Sequence, residues 1–84
     1  MRTQAEVFLC IRPKDVRTGD DAMDRSLRAL DEALTQQITG GAGEHDHVRR
    51  CAQVWLLDRR EEPRARALIE RHGWDVVDEE EILG

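Results

Sequence analysis

Five large apolar side chains follow one another at intervals of three or four residues in the first half of the chain. They are Met23, Leu27, Leu30, Leu34 and Ile38. Because an α-helix makes one turn in about 3.6 residues, this spacing places all five on one helix face. The pattern predicts an amphipathic helix over residues 20–38. Thr18 and Asp21 fit a capping box at its start, and Gly40 lies just beyond its end.

Continuous apolar runs indicate three strands. Residues 7–11 are all apolar and are followed by Arg12 and Pro13, and proline cannot continue a strand ladder. The second predicted strand covers residues 48–57, with its apolar density highest at the C-terminal end. The third is short and covers residues 74–77. Trp55 and Trp74 lie within these runs, and we expect both rings to be in the core.

A second helix of about three turns is predicted between Pro63 and Gly73. Proline favours the first turn of a helix, and glycine favours the position just after the last turn. Residues 39–47 contain three glycines and show no periodicity. They are therefore predicted to form a mobile loop.

The resulting order of elements is strand, helix, strand, helix, strand. Short connections around the second helix favour right-handed parallel crossovers. We therefore predict one α/β domain over residues 1–84, a small two-layer sandwich with a mostly parallel three-stranded sheet. The alternative is a ferredoxin-like βαββαβ sheet in which residues 39–47 supply a degenerate second strand. Both layouts are expected to place the first strand beside the 48–57 strand, roughly parallel to it.

The first strand has two apolar faces. Val7, Leu9 and Ile11 alternate with Phe8 and Cys10, so neither face is suited to water. If both helices cover the same face, the other face needs a separate cover. A second copy of the chain is the obvious candidate, which makes a homodimer a prediction of the sequence. If the helices cover opposite faces, the monomer is complete.

Length and charge limit the classes of function. A chain of 84 residues has a small core, which disfavours a large enzyme pocket. The net charge of −5 disfavours direct binding to nucleic acid. No apolar run is long enough to span a membrane, and the N-terminal residues lack the apolar stretch of a signal peptide. We expect a cytoplasmic protein without membrane contact, in which Cys10 and Cys51 are buried thiols.

The sequence is poor in residues suited to catalysis. It has no tyrosine, and its only serine, Ser26, lies in the middle of the first predicted helix. None of the glycine-rich phosphate-binding or nucleophile motifs occurs. We therefore expect neither an enzyme nor a bound cofactor, and instead predict a small acidic interaction or regulatory module that binds another macromolecule, as an adaptor or inhibitor does.

The negative charge is concentrated at the C-terminal end of the chain, where residues 74–84 carry a charge of −5. An acidic segment can dock on a basic protein surface through complementary electrostatic fields. The residues predicted to contact a protein partner are Asp75, Asp78, Glu79, Glu80 and Glu81, together with Trp74 if its ring is exposed.

An alternative function is the binding of phosphate or another small anion by a sensor. The loops that leave adjacent parallel strands meet at one edge of a sheet, beside helix N-termini that favour anions. In the predicted fold these loops would bring together five basic residues, Arg12, Lys14, Arg17, Arg59 and Arg60.

His45, His47 and Cys51 form a third candidate site. If a strand includes all three, their side chains point to one face, and imidazole and thiolate are ordinary ligands of zinc or copper. No established metal-binding spacing is present. We therefore predict no resident metal and treat these three residues as the candidates for one.

Overall fold

Residues 6–77 are described by a computed structural model, and within this range the elements follow the order βαββαβ. The strands are β1 (Val7–Pro13), β2 (Gly40–Ala42), β3 (Ala52–Leu56) and β4 (Trp74–Val77). The helices are α1 (Asp20–Gln37) and α2 (Glu62–Arg71), and a single turn of 3-10 helix, Arg59–Glu61, leads into α2.

The four strands form one sheet in the order β2-β3-β1-β4, and every neighbouring pair is antiparallel. The prediction of a mostly parallel three-stranded sheet is therefore wrong. The expected parallel placement of the first strand beside the 48–57 strand is also wrong, because Val7 pairs with Leu56 and Ile11 pairs with Ala52. The order of elements is that of the alternative layout, with β2 as the additional short strand.

The glycines of β2 explain why the sheet differs from the prediction. A Cβ atom at Gly40 would meet the backbone carbonyl oxygen of Trp55, and one at Gly41 would lie 2.8 Å from the Trp55 ring. Glycine therefore permits a close approach of β2 to β3, where another residue would be too large. Because a hairpin connects β2 to β3, β3 must run antiparallel to β2.

Both helices pack on the same face of the sheet. One cluster of buried side chains includes Leu9 and Ile11 of β1, Val54 and Leu56 of β3, and Trp74 of β4. The helices contribute the predicted apolar face of α1 and three residues of α2, namely Met23, Leu27, Leu30, Leu34, Ala65, Leu68 and Ile69. Within residues 6–77, the opposite face of the sheet carries no helix.

The helix ends agree only in part with the sequence signals. Gly19 is the N-cap of α1, and no side chain of the described residues 6–77 caps this end, so the predicted capping box of Thr18 and Asp21 is wrong. At the end of α2, Gly73 has a φ of +85°, the left-handed conformation expected for a C-terminal glycine. Neither helix has the length and apolar character needed to cross a membrane, within the residues described.

Two expectations about burial are also corrected. The side chain of Trp55 is 38% exposed, whereas Trp74 is 1% exposed and lies in the core as predicted. Cys10 and Cys51 are half-buried rather than buried. Trp55 and Cys10 both belong to the sheet face that carries no helix, which is why neither is fully covered.

Candidate functional site

The segment between β2 and β3 is a hydrogen-bonded hairpin, although the sequence predicted a mobile loop for most of it. The Asp46 carboxylate accepts hydrogen bonds from the backbone N–H groups of Val48 and Arg49, both at 3.0 Å. The backbones of Asp46 and Cys51 are joined by an isolated antiparallel bridge. The hydrogen bond from the Arg49 backbone holds the pKa of Asp46 below its usual value. These contacts fix the shape of the turn.

Arg50 attaches this hairpin to the start of α1. Its backbone has a φ of 56°, which is uncommon for a residue other than glycine. Its guanidinium donates hydrogen bonds to the carbonyl oxygens of Thr18 at 2.5 Å and Val16 at 3.2 Å. It also lies 3.9 Å from the Asp20 carboxylate. The hairpin is thereby held against the first turn of the helix.

The consequence of this attachment is a cluster of two aspartates and two histidines, which we call the Asp-His cluster: Asp20, Asp24, His45 and His47. Asp24 Oδ1 lies 3.3 Å from His45 Nδ1 and 3.3 Å from His47 Nε2. The other nitrogen of His47, Nδ1, lies 3.7 Å from Asp20 Oδ2. The two imidazole rings have centroids 4.4 Å apart.

The two histidines differ in exposure. The side chain of His47 is 51% exposed, whereas that of His45 is 1% exposed. His45 Nδ1 contacts Asp24, but His45 Nε2 is buried without a hydrogen-bond partner among residues 6–77. An unsatisfied buried polar atom of this kind is uncommon in a folded protein and requires an explanation. An open groove lined by Arg28, Asp31 and Glu44 continues from the cluster.

The structure therefore changes the candidate metal ligands. His45 and His47, two of the three candidates, lie together, and one possible ligand atom from each of Asp20, His45 and His47 lies within 4.8 Å of the others. Cys51 is not part of this group. Residues 47–50 form a turn, so the strand alternation that would have aligned Cys51 with the histidines does not hold. Burial raises the pKa of the Cys51 thiol, which further disfavours the thiolate form.

The helix-free face of the sheet is the second candidate site. Phe8 of β1 and Trp55 of β3 are paired across the two central strands of the sheet, and they are 61% and 38% exposed. Leu57, two residues beyond Trp55, is 49% exposed. Phe8 and Trp55 are register partners and so share one face of the sheet, and Leu57, which directly follows β3, adds a further exposed apolar side chain beside this strand. We call Phe8, Trp55 and Leu57 the open-face patch.

The basic residues proposed for anion binding are not brought together. In the antiparallel sheet β1 ends beside the start of β3. Arg12 near the end of β1, with Lys14 and Arg17 in the loop that follows, therefore lies at one end of the sheet, and Arg59 and Arg60 lie at the other. Two of these arginines have acidic neighbours. Arg17 lies 3.4 Å from Asp15, and Arg60 donates to Asp58 at 2.9 Å. The pair holds the pKa of Asp58 below its usual value and raises that of Arg60.

Only part of the predicted acidic partner site can be placed. Asp75 is exposed on β4 and is paired with Arg12 of β1. The Trp74 ring is in the core, where its Nε1 donates a hydrogen bond to Ser26 Oγ at 2.9 Å, so this ring does not reach the surface. Asp78, Glu79, Glu80 and Glu81 lie outside the described residues.

Fold and sites together define a small α/β protein with a four-stranded antiparallel sheet, two helices on one face of that sheet, and an Asp-His cluster at one end. In comparisons with known proteins, no family, no curated protein and no solved structure matches the chain. The function proposed below is therefore argued from the residues of the Asp-His cluster and of the open-face patch.

Proposed function

We propose that this protein is a non-catalytic interaction module that binds a second copy of itself through the helix-free face of its sheet. The observation that supports the proposal is the open-face patch. Phe8 and Trp55 occupy the two central strands, where large apolar side chains would normally be covered. Contiguous exposed apolar patches of this kind mark interaction sites, and aromatic residues provide much of the binding energy at such sites. The proposed setting is the cytoplasm, where Cys10 stays reduced.

The charges around the patch are compatible with self-association. Arg12 and Asp75 are paired on neighbouring strands at the edge of the open face, so charges of both signs lie there side by side. Two identical faces can therefore approach each other without facing a uniform field of one sign. A two-fold axis through the face would place each aromatic pair against its symmetry mate, as in most homodimers. Two sheets packed in this way lie about 10 Å apart.

The chain also offers a reason to prefer a dimer to a monomer. A domain of this size buries only about 60% of the surface that its unfolded chain exposes, so its stability is marginal. Covering Phe8, Trp55 and Leu57 would add apolar burial at about 25 cal/mol for each Å² removed from water. A second copy supplies that cover without any other component.

Sedimentation equilibrium of the purified chain, up to high micromolar concentration, tests the proposal. We expect a reversible dimer for the wild type and an at least tenfold weaker dimer for Phe8→Glu, since a charge would be buried without a partner. Val48→Glu is the matched control. Val48 is 93% exposed in the hairpin turn, away from the open-face patch, so the same added charge is expected to leave the dimer unchanged.

Two results would refute the proposal. One is a wild-type chain that remains monomeric throughout the concentration range. The other is a dimer that Phe8→Glu and Val48→Glu weaken to the same extent. Circular dichroism of each variant shows whether the fold is retained.

A further inference from the structure

We propose that the Asp-His cluster is a binding site for a divalent transition metal ion, with Asp20, His45 and His47 as ligands and Asp24 as a positioning residue. The site joins the first turn of α1 to the β2–β3 hairpin. It shares no residue with the open-face patch, and the proposal is independent of the proposed function.

His45 has an unsatisfied ring nitrogen that could bind a metal ion. The side chain is 1% exposed, and its Nε2 has no hydrogen-bond partner in the part of the chain that the structure describes. A buried polar atom without a partner is costly, and such atoms are found where an ion or a ligand completes the site. The lone pair of a neutral imidazole nitrogen is a good metal ligand, and metal coordination would satisfy this atom.

Asp24 orients both histidines of the cluster. Its Oδ1 lies 3.3 Å from one nitrogen of each histidine, His45 Nδ1 and His47 Nε2. A carboxylate accepts hydrogen bonds, so both of these nitrogens carry a proton when the histidines are neutral. The lone pairs are then on the remaining nitrogens, His45 Nε2 and His47 Nδ1. Metal-binding histidines are commonly oriented in this way by a carboxylate.

Asp20 places a carboxylate next to His47. Its Oδ2 lies 3.7 Å from His47 Nδ1, the nitrogen that this assignment leaves unprotonated. One possible ligand atom from each of Asp20, His45 and His47 lies within 4.8 Å of the other two. Tetrahedral ligands about 2.1 Å from zinc are separated by about 3.4 Å. Asp20 and His47 are about half exposed, so their side chains have room to move closer to a bound ion.

The donor set limits which metals fit. Two imidazole nitrogens and one carboxylate oxygen suit zinc, cobalt, nickel or copper, whereas magnesium and calcium prefer a set of oxygens alone. Three protein ligands leave at least one position for water, because His47 and Asp20 border on solvent. Cys51 is not required, in contrast to the ligand set that the sequence suggested.

Isothermal titration of the metal-free chain with zinc, together with thermal unfolding at increasing zinc concentration, tests the proposal. We expect one zinc ion per chain and a midpoint of unfolding that rises with zinc concentration, since the ion binds the folded state. His47→Gln and Asp20→Asn are each expected to weaken binding at least tenfold. Both residues are about half exposed, so these variants should fold.

Two matched controls separate the site from general charge effects. Asp21→Asn removes the same charge one residue away, in the same helical turn. His72→Gln removes the third histidine of the chain, whose Nδ1 contacts the Leu68 carbonyl oxygen. Both controls are expected to bind zinc as the wild type does. Asp24→Asn is expected to retain the site with about 10–100-fold weaker binding, the usual effect of losing an orienting carboxylate.

The absorption spectrum of bound cobalt would not change if the role of Asp24 were purely structural. Bound cobalt should show the visible absorption of a low-coordinate site, and Asp24→Asn should alter that spectrum. The proposal is overturned if zinc does not bind, if Asp21→Asn weakens binding as much as Asp20→Asn, or if Cys51→Ser abolishes binding. An intense near-ultraviolet band from cobalt bound to thiolate would also overturn it.

Discussion

Replacement of Ser26 by alanine should destabilise the protein, although alanine is the better helix former. Ser26 lies in α1 and joins two residues near the end of α2. Its hydroxyl donates to the His72 carbonyl oxygen at 3.0 Å and accepts from Trp74 Nε1 at 2.9 Å. The Trp74 side chain is 1% exposed, and removal of the Ser26 hydroxyl takes away the acceptor that its buried Nε1 has in the structure.

The magnitude follows from two opposing contributions. A buried donor left without a partner costs about 1–3 kcal/mol. The change from serine to alanine within a helix returns about 0.5 kcal/mol of helix propensity. We therefore expect Ser26→Ala to lower the free energy of unfolding by about 0.5–2.5 kcal/mol. In a domain of this size, each kcal/mol corresponds to a fall of about 4–8 °C in the midpoint of thermal unfolding.

The assay is urea denaturation followed by far-ultraviolet circular dichroism, at a protein concentration low enough to exclude any contribution from self-association. Thr35→Ala is the matched control, because it also removes a hydroxyl from α1. Thr35 is exposed, and its hydroxyl only donates to the Glu32 carbonyl oxygen within the same helix. We expect this control to be neutral or slightly stabilising. A Ser26→Ala variant as stable as Thr35→Ala would refute the role assigned to the hydroxyl.

Two further predictions concern β2 and the hairpin turn. Gly40→Ala should lower the free energy of unfolding by about 1–3 kcal/mol, because its Cβ would meet the Trp55 carbonyl oxygen. Gly43→Ala is the control and should be close to neutral, because its Cβ would lie 3.5 Å from the nearest neighbouring atom. Equal losses of stability for the two variants in urea denaturation would contradict this account. The hydrogen bond from the Arg49 backbone lowers the pKa of the Asp46 carboxyl group. The ionised carboxylate therefore stabilises the folded state above pH 3.8, and this stabilisation is lost as the pH falls through the lower pKa of the folded state. Asp46→Asn should therefore show a smaller loss of stability than the wild type as pH is lowered below about 4, and an unchanged acid dependence would contradict this.

Structural features that are determined by residues close together in the sequence could be predicted. The apolar face of α1 consists of residues spaced three and four apart, and Gly73, with its positive φ, directly follows the last turn of α2. Strand direction is different, because it depends on which strands become neighbours. The glycines at 40 and 41 carried the relevant signal, but glycine is equally typical of loops. Only their contact with Trp55 shows that they are needed in a strand.

The candidate metal site shows the same limit. The sequence indicated His45 and His47 because they are two residues apart. It did not indicate Asp20 or Asp24, which lie more than twenty residues earlier in the chain. Their spacing of four residues places both on one side of α1, but nothing local connects that side to the hairpin. The connection is made by Arg50, whose hydrogen bonds reach the residues just before α1.

The positions of the two proposed sites allow each to be tested without disturbing the other. The open-face patch is formed by β1 and β3 on the side away from the helices, whereas the metal ligands come from the start of α1 and the hairpin before β3. Phe8→Glu is therefore expected to retain zinc binding, and Asp20→Asn is expected to retain the dimer. If zinc instead shifts the sedimentation equilibrium of the wild type but not of Asp20→Asn, the hairpin must transmit the effect of the ion to β3. Covalent continuity from His47 to Ala52 provides the shortest route for that coupling.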